Sequence, residues 1–223
     1  MSNQTKITRR QFLLLMGGTV GATVLACGGL AVFGTREPEI KFIRESYEGN
    51  PKMKNKILVA YASKCGSTSE VAQVIGQTLA NSGNKVDVRP INDVGDLSPY
   101  QAVILGSTIR VAQWLPETSK FVETNQQALS QIPTAYFTVC MTLSQDNEEN
   151  RRKAAAFLDP VRQIAKPPVE EGLFAGKMDY GKLSFVDQLL VTKVKQIPEG
   201  DFRNWQAIKT WAQALPARFA LNS

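Results

Sequence analysis

From Lys56 onward the chain alternates short apolar runs with longer amphipathic ones, and that alternation leaves few folds open. The runs KILVAY, KVDVRP, AVILGST, TAYFTVC and EGLFAGKM have the length of strands. KILVAY, AVILGST and TAYFTVC are apolar over successive residues, as parallel strands covered on both faces must be. KVDVRP alternates and is closed by Pro90. Between them, STSEVAQVIGQTLANSG sets Val71, Val74, Ile75 and Leu79 on one helical face, with hydroxyl residues in front and Gly83 behind. PETSKFVETNQQALS opens with Pro116, which the first turn of a helix tolerates. NEENRRKAAAFLDPVRQIA is a third helical pattern, and DFRNWQAIKTWAQAL aligns Trp205, Ile208, Trp211 and Leu215 as a fourth. Five strands separated by helices predict an α/β fold, a doubly wound parallel sheet with helices on both faces. At 223 residues there is room for one such domain and extra sequence at an end.

That extra sequence is N-terminal. Gln11 to Thr35 is an uncharged run behind Lys6, Arg9 and Arg10. Thr8-Arg9-Arg10-Gln11-Phe12-Leu13 resembles the twin-arginine export signal; the plain alternative is a basic flank on an ordinary membrane helix. At 25 residues and about 1.5 Å per residue the run is long enough to cross a bilayer. Three fates are open: a retained anchor ahead of cleavage at Ala26-Cys27-Gly28 or Gly29-Leu30-Ala31, with lipidation third, since Val24-Leu25-Ala26-Cys27 resembles a lipobox. Each puts the folded part outside the cytoplasm, on the outer face of the membrane, in the periplasm or beyond the cell. The expected organisation is therefore a signal or anchor over 1–35, a tether over 36–54 (REPEIKFIRESYEGNPKMK to its end), and a folded domain over 55–218.

Composition narrows the chemistry. There is no histidine, so Ser-His-Asp catalysis, His-ligated zinc and an imidazole proton shuttle are all excluded. Cys27, Cys65 and Cys140 lack the close spacings of a metal site or a disulfide framework, and no metal is expected. The net charge of +6 falls to +3 once Lys6, Arg9 and Arg10 are set aside, because no acid lies before residue 36. The remaining basic residues are scattered, which argues against nucleic acid as a partner.

The loop between the first strand and first helix is Ser63-Lys64-Cys65-Gly66-Ser67-Thr68. In a doubly wound sheet this loop opens on the ligand crevice at the carboxyl ends of the strands. Backbone amides and the helix dipole attract an anion there, Ser63, Ser67 and Thr68 can add hydroxyl groups, and Gly66 lets the backbone come close. The loop is neither the dinucleotide fingerprint nor the Walker sequence, so a monophosphate ester fits it best. Ordinary helix capping by hydroxyl groups is the alternative.

ILVAYASKCGSTSEVAQVI resembles the strand, phosphate loop and first helix of the flavodoxins. VILGSTIRVAQWLPE, AYFTVCMTLSQDNEENRRKAAAFL and WQAIKTWAQAL extend the likeness to the flavodoxin-like menaquinone-dependent protoporphyrinogen dehydrogenases, over roughly residues 55 to 215. The resemblance implies a five-stranded sheet in the order 2-1-3-4-5 and FMN as cofactor, its phosphate on Ser63, Lys64, Cys65, Gly66, Ser67 and Thr68. It assigns Ser107, Thr108, Ile109 and Arg110, with Thr138, Val139, Cys140, Met141 and Thr142, to the two loops around the isoalloxazine, whose amides can tune the ring. Trp114 either covers a ring face or packs in the core. Arg110 either faces an anionic flavin or substrate or is a solvated surface residue. Cys65 and Cys140 read as buried small residues. No catalytic residue is assigned. Two departures from the family stand out: YGKLSFVDQLL replaces an Arg- and aromatic-rich stretch after the fifth strand, and the domain lacks the acidity of soluble flavodoxin shuttles.

The expected function is an exported, membrane-associated FMN oxidoreductase or electron carrier that exchanges electrons with a quinone or a membrane partner. The alternatives are quinone-dependent protoporphyrinogen IX dehydrogenase and, in another class, a flavodoxin-shaped module that binds a partner without cofactor.

Overall fold

A computed structural model of the chain describes residues 42–52, 55–183, 189, 192 and 197–221. The expected signal or anchor over 1–35 lies outside them. Among the described residues no helix is long and apolar enough to cross a membrane. The chain divides into two units, Glu39–Tyr180 with Ile197–Ser223, and Met1–Pro38 with Gly181–Gln196. Of the second, only residues 181–183, 189 and 192 are described.

The first unit is organised around one sheet. Its parallel strands are β2 (Lys56–Ala62), β3 (Lys85–Pro90), β4 (Ala102–Arg110), β6 (Thr134–Cys140) and β7 (Glu170–Ala175), in the spatial order β3-β2-β4-β6-β7. This is the 2-1-3-4-5 order expected from the sequence. Val59 of β2 lies between Val88 of β3 and Ile104 of β4, and β4 in turn pairs Leu105 with Tyr136 of β6.

The continuous apolar runs follow from burial on both faces. Ile57, Val59 and Tyr61 join Val86, Val88, Ile104 and Phe137 in one core layer beneath α1 (Ser67–Asn81), which contributes Val71, Ile75 and Leu79, and α6 (Trp205–Arg218), which contributes Ile208, Ala212 and Leu215. Leu58, Ala60, Val103, Leu105 and Tyr136 face the opposite layer, under α2 (Pro116–Thr124) and α3 (Gln126–Gln131), with Val122 and Leu129. A fully buried Leu or Ile contributes about 1.5–3 kcal/mol, so both layers are needed and neither face of β2 tolerates a charge.

Several elements differ from expectation. The second helical pattern divides into α2 and α3 at Asn125. The third divides into α4 (Glu148–Ala156), capped by the Asn147 side chain accepting from the Asn150 N–H at 2.9 Å, and α5 (Asp159–Arg162), where Pro160 starts a new turn. The expected fifth strand stops at Ala175, and Lys177–Met178 instead forms β8, paired antiparallel with β9 (Gly200–Asp201).

The largest difference lies in the expected tether. Glu45–Tyr47 forms β1, antiparallel to β3, with Glu45 opposite Val88 and Tyr47 opposite Val86. The Tyr61 hydroxyl accepts from the Ile43 N–H at 2.7 Å and donates to the Ile43 carbonyl at 2.9 Å. Burial pushes this phenol up to about 12, so it stays protonated and able to donate. Arg44 pairs with Asp93 at 2.5 Å, and Arg89 donates to the Glu45 carbonyl at 2.6 Å. β1 therefore covers the otherwise open edge of β3, the usual liability of a sheet end.

Candidate functional site

All five parallel strands point their carboxyl ends to one edge, and the loops that leave it form the candidate site. The first is Ser63 to Thr68. Gly66 occupies the N-cap of α1 at φ +86°, a left-handed conformation that a side chain would strain, and with no side chain of its own it cannot cap the helix. The first intrahelical bond runs from the Glu70 N–H to the Gly66 carbonyl, so the amides of Ser67, Thr68 and Ser69 precede it. Ser63 accepts from the Gly66 N–H at 3.0 Å and Ser69 donates to the Gly66 carbonyl at 2.6 Å, which fixes the turn. Thr68 is fully buried, yet its hydroxyl has no hydrogen-bond partner. A buried hydroxyl without a partner is uncommon and costs about 1–3 kcal/mol. No side chain caps the helix at Gly66, and the hydroxyls of Ser63 and Ser69 are used within the turn itself. Lys64 is exposed, while Cys65 and Ser67 are half-buried.

The second loop is a hairpin. β4 continues to Arg110 and turns back into β5 (Gln113–Trp114), pairing Ile109 with Trp114 and Arg110 with Gln113. The two turn residues, Val111 and Ala112, have φ of +51° and +59°. Two successive positive φ values match the twist of a tight hairpin but normally call for Asn and Gly. The conformation is held from below. Ser107, fully buried, accepts from the Leu115 N–H at 3.0 Å and donates to the Thr108 carbonyl, and Trp114 donates its indole N–H to the Thr138 hydroxyl at 2.8 Å.

The placement of Trp114 resolves the alternatives open in the sequence. It is 2% exposed and packs edge-on against Tyr136, with ring centroids 5.1 Å apart, so it is a core anchor of the hairpin and offers no face for stacking. Ser107 and Thr138 are likewise committed to the scaffold through their side chains. Thr108 and Ile109 are half-buried, and Arg110 is exposed at the rim.

The third loop follows β6. Val139 and Cys140 are buried, and their side chains belong to the core, which leaves only their backbone for a ligand. Burial pushes the Cys140 thiol up, keeping it un-ionised and unreactive. Met141 and Thr142 sit half-buried in a short 3-10 turn, Met141–Ser144. Cys65 and Cys140 lie on loops of strands that β4 separates.

One contributor was not legible beforehand. Arg203, in the segment before α6, has a side chain only 3% exposed and pairs with Glu70 in the first turn of α1 at 2.7 Å and with Asp201 at 2.6 Å. It ties this late segment to the helix that begins at Gly66. The only signal was a lone Arg ahead of a helix, too common to assign.

The site thus offers an anion-ready turn with an unpartnered buried hydroxyl beside two backbone-lined loops. A family model described as a flavodoxin domain matches residues 58–204. The chain is 24% identical to protoporphyrinogen IX dehydrogenase [quinone] of Leishmania major, over 73% of this chain and 75% of that protein. It is 17% identical to the Escherichia coli K12 protein of the same name, over 72% and 94%. Among solved structures, oxidised flavodoxin 1 of Bacillus cereus is similar at 17% identity and a TM-score of 0.46, over 76% of this chain and 99% of that one. With well over half of its length under the family model, the chain belongs to the flavodoxin-domain family.

Proposed function

We propose that this protein is an FMN-binding oxidoreductase, exported and held at the membrane, that passes electrons to or from a quinone. The observation that carries the cofactor is Thr68, whose buried hydroxyl lacks a partner at the start of a helix that glycine leaves uncapped. A phosphate monoester supplies the acceptor oxygens that this hydroxyl and the first-turn amides lack. Ser63 to Thr68 would hold the phosphate. The amides of the hairpin after Ser107 and of the turn after Thr138 would face the ring.

When bound, FMN supplies one- and two-electron redox chemistry through its isoalloxazine, so a chain without histidine can still serve. The residues of the chain position it. Ser107, Trp114 and Thr138 fix the hairpin, Ser63 and Ser69 fix the turn, and Arg203 fixes the helix. The quinone is suggested by the names of the relatives, and export by the sequence around Arg9 and Arg10.

The test is the absorbance of purified full-length protein, as isolated and after titration with FMN and with riboflavin, which lacks the phosphate. Tight uptake of FMN over riboflavin supports the reading. A colourless protein that takes up neither ends it. The same relatives favour a second reading, oxidation of protoporphyrinogen IX with a quinone acceptor, and absence of turnover by the FMN-loaded protein would exclude it.

A further inference from the structure

We propose that Arg203 is a positioning residue for the cofactor: its guanidinium cancels the charge of Glu70, the one acid in the first turn of α1, and so lets the adjoining turn take a doubly charged phosphate. This rests on the reading above in one respect, that Ser63 to Thr68 hold a phosphate. Glu70, Lys177, Asp201 and Arg203 all lie in the unit that carries the parallel sheet.

An acid at this place works against the site. A carboxylate in the first turn suits an empty helix, because it complements the positive end of the dipole. A phosphate on the same turn draws on the same dipole and is repelled by the carboxylate. Glu70 lies four residues beyond Gly66, about 6 Å of helix rise, and side chains on a helix lean back toward its N-terminus. The one cation of the loop itself, Lys64, is exposed, where water and salt screen it.

Arg203 supplies the compensation from late in the chain. Its Nε and one Nη donate to the two oxygens of Asp201 at 2.8 and 2.6 Å, which fixes the plane of the guanidinium, and the other Nη donates to Glu70 at 2.7 Å. Asn204 caps α6 by accepting from the Ala207 N–H at 3.0 Å, so the backbone that carries Arg203 is held as well. The Arg203 side chain is 3% exposed, so its charge is poorly screened where it meets Glu70. Asp201 in turn is attracted by Lys177, its partner across β8 and β9. The four charges sum to zero. Against this balance, Arg203→Ala leaves one extra negative charge beside the turn, Glu70→Gln one extra positive charge, and the two together none. A unit charge about one turn from a doubly charged ligand, on a half-exposed side chain, changes affinity about tenfold. Riboflavin, which lacks the phosphate, is indifferent to it.

The experiment titrates full-length protein, stripped of flavin, with FMN and with riboflavin, comparing the parent, Arg203→Ala, Glu70→Gln and the double variant. FMN affinity is expected to fall about tenfold in Arg203→Ala, to return to within about threefold of the parent in the double variant, and to tighten by up to about threefold in Glu70→Gln. Riboflavin affinity should stay within about threefold throughout. The loss in Arg203→Ala should also shrink as salt rises from about 20 mM to about 0.5 M. Equal weakening of both flavins, a double variant as weak as Arg203→Ala, a loss indifferent to salt, or weaker FMN binding by Glu70→Gln would each overturn the role and make Arg203 a structural tie alone. Should Arg203→Ala not fold, Glu70→Gln, which keeps the buried Arg203–Asp201 pair, still decides. A parent that takes up FMN no better than riboflavin removes the phosphate reading itself, and this role with it. A parent that prefers FMN while the variants break the expected order removes only the role of Arg203.

Discussion

Arg203 and Glu70 are 133 residues apart in the chain and 2.7 Å apart in the fold. The same guanidinium holds Asp201 at 2.6 Å and lies over the Trp205 ring, 4.3 Å from its centroid. Three partners on a planar group with almost no exposure make the position specific to Arg. Arg203→Ala is expected to lower stability by about 1–3 kcal/mol through lost packing and two carboxylates left without their cation. Arg203→Lys should recover little of it, since an ammonium cannot bridge both acids and stack as well. Chemical denaturation of the three proteins checks this, and an unchanged midpoint for either variant would refute the role assigned to the pair.

Thr68→Val separates binding from folding. The substitution keeps the shape and removes a buried hydroxyl that has no partner in the fold. Without FMN the variant should be at least as stable as the parent, by up to about 1 kcal/mol, because the desolvation penalty disappears. With FMN the order should reverse. A hydrogen bond to a charged group contributes about 1.5–3 kcal/mol, so affinity should fall about 10- to 100-fold. Thermal unfolding of the apoprotein together with a flavin titration gives both signs, and a loss of stability with unchanged affinity would mean that Thr68 is merely structural.

The hairpin tip makes an opposite prediction. Val111 at φ +51° and Ala112 at φ +59° occupy conformations that cost about 1–3 kcal/mol each for residues with a Cβ, more for a β-branched one. Val111→Asn combined with Ala112→Gly supplies the residues that such a turn prefers. The double variant should gain about 1–2 kcal/mol with the hairpin unchanged. If its denaturation midpoint stays put or drops, the strain assigned to the tip is not there.

These residues also mark how far the sequence could be read. β2 was legible because burial on both faces forces an uninterrupted apolar run, and the turn after it because a glycine at its centre can take up a left-handed conformation. β1 was not, since three residues with two charged neighbours acquire a strand only from the edge of β3, some 40 positions later. The turn at Val111-Ala112 was hidden for the opposite reason: local preference opposes it, and the buried Trp114 and Ser107 impose it. Trp114 itself was undecidable before a fold existed, because the choice between ligand and core was made by Thr138, an acceptor on a different strand. Arg203 depends wholly on Glu70. Pattern reaches what a segment does with its own neighbours, and the residues that fix a site's geometry are mostly held from elsewhere.

Asp87 provides a test of the β1 edge through pH. The residue is 6% exposed, and its carboxylate lies 2.8 Å from the Lys56 ammonium, accepting from Ser46 of β1 at 2.6 Å and from the Tyr100 hydroxyl at 2.8 Å. Burial alone would raise its pKa, but the bonds from Lys56, Ser46 and Tyr100 outweigh it and hold the carboxyl below its ordinary 3.8. A folded value below the unfolded one means that ionised Asp87 stabilises the fold above the unfolded pKa, and that this contribution fades as pH falls through the folded value. Ser46→Ala with Tyr100→Phe removes two of the three donors and lets burial push the folded value back up. The double variant should therefore be about 2 kcal/mol less stable than the parent at pH 7, where both keep Asp87 ionised. The gap should narrow as pH drops below 4, where the parent too gives up its advantage. Urea midpoints measured between pH 7 and pH 3 read this directly, and a gap that does not change with pH would mean that Asp87 contributes packing rather than charge to the junction of β1 and β3.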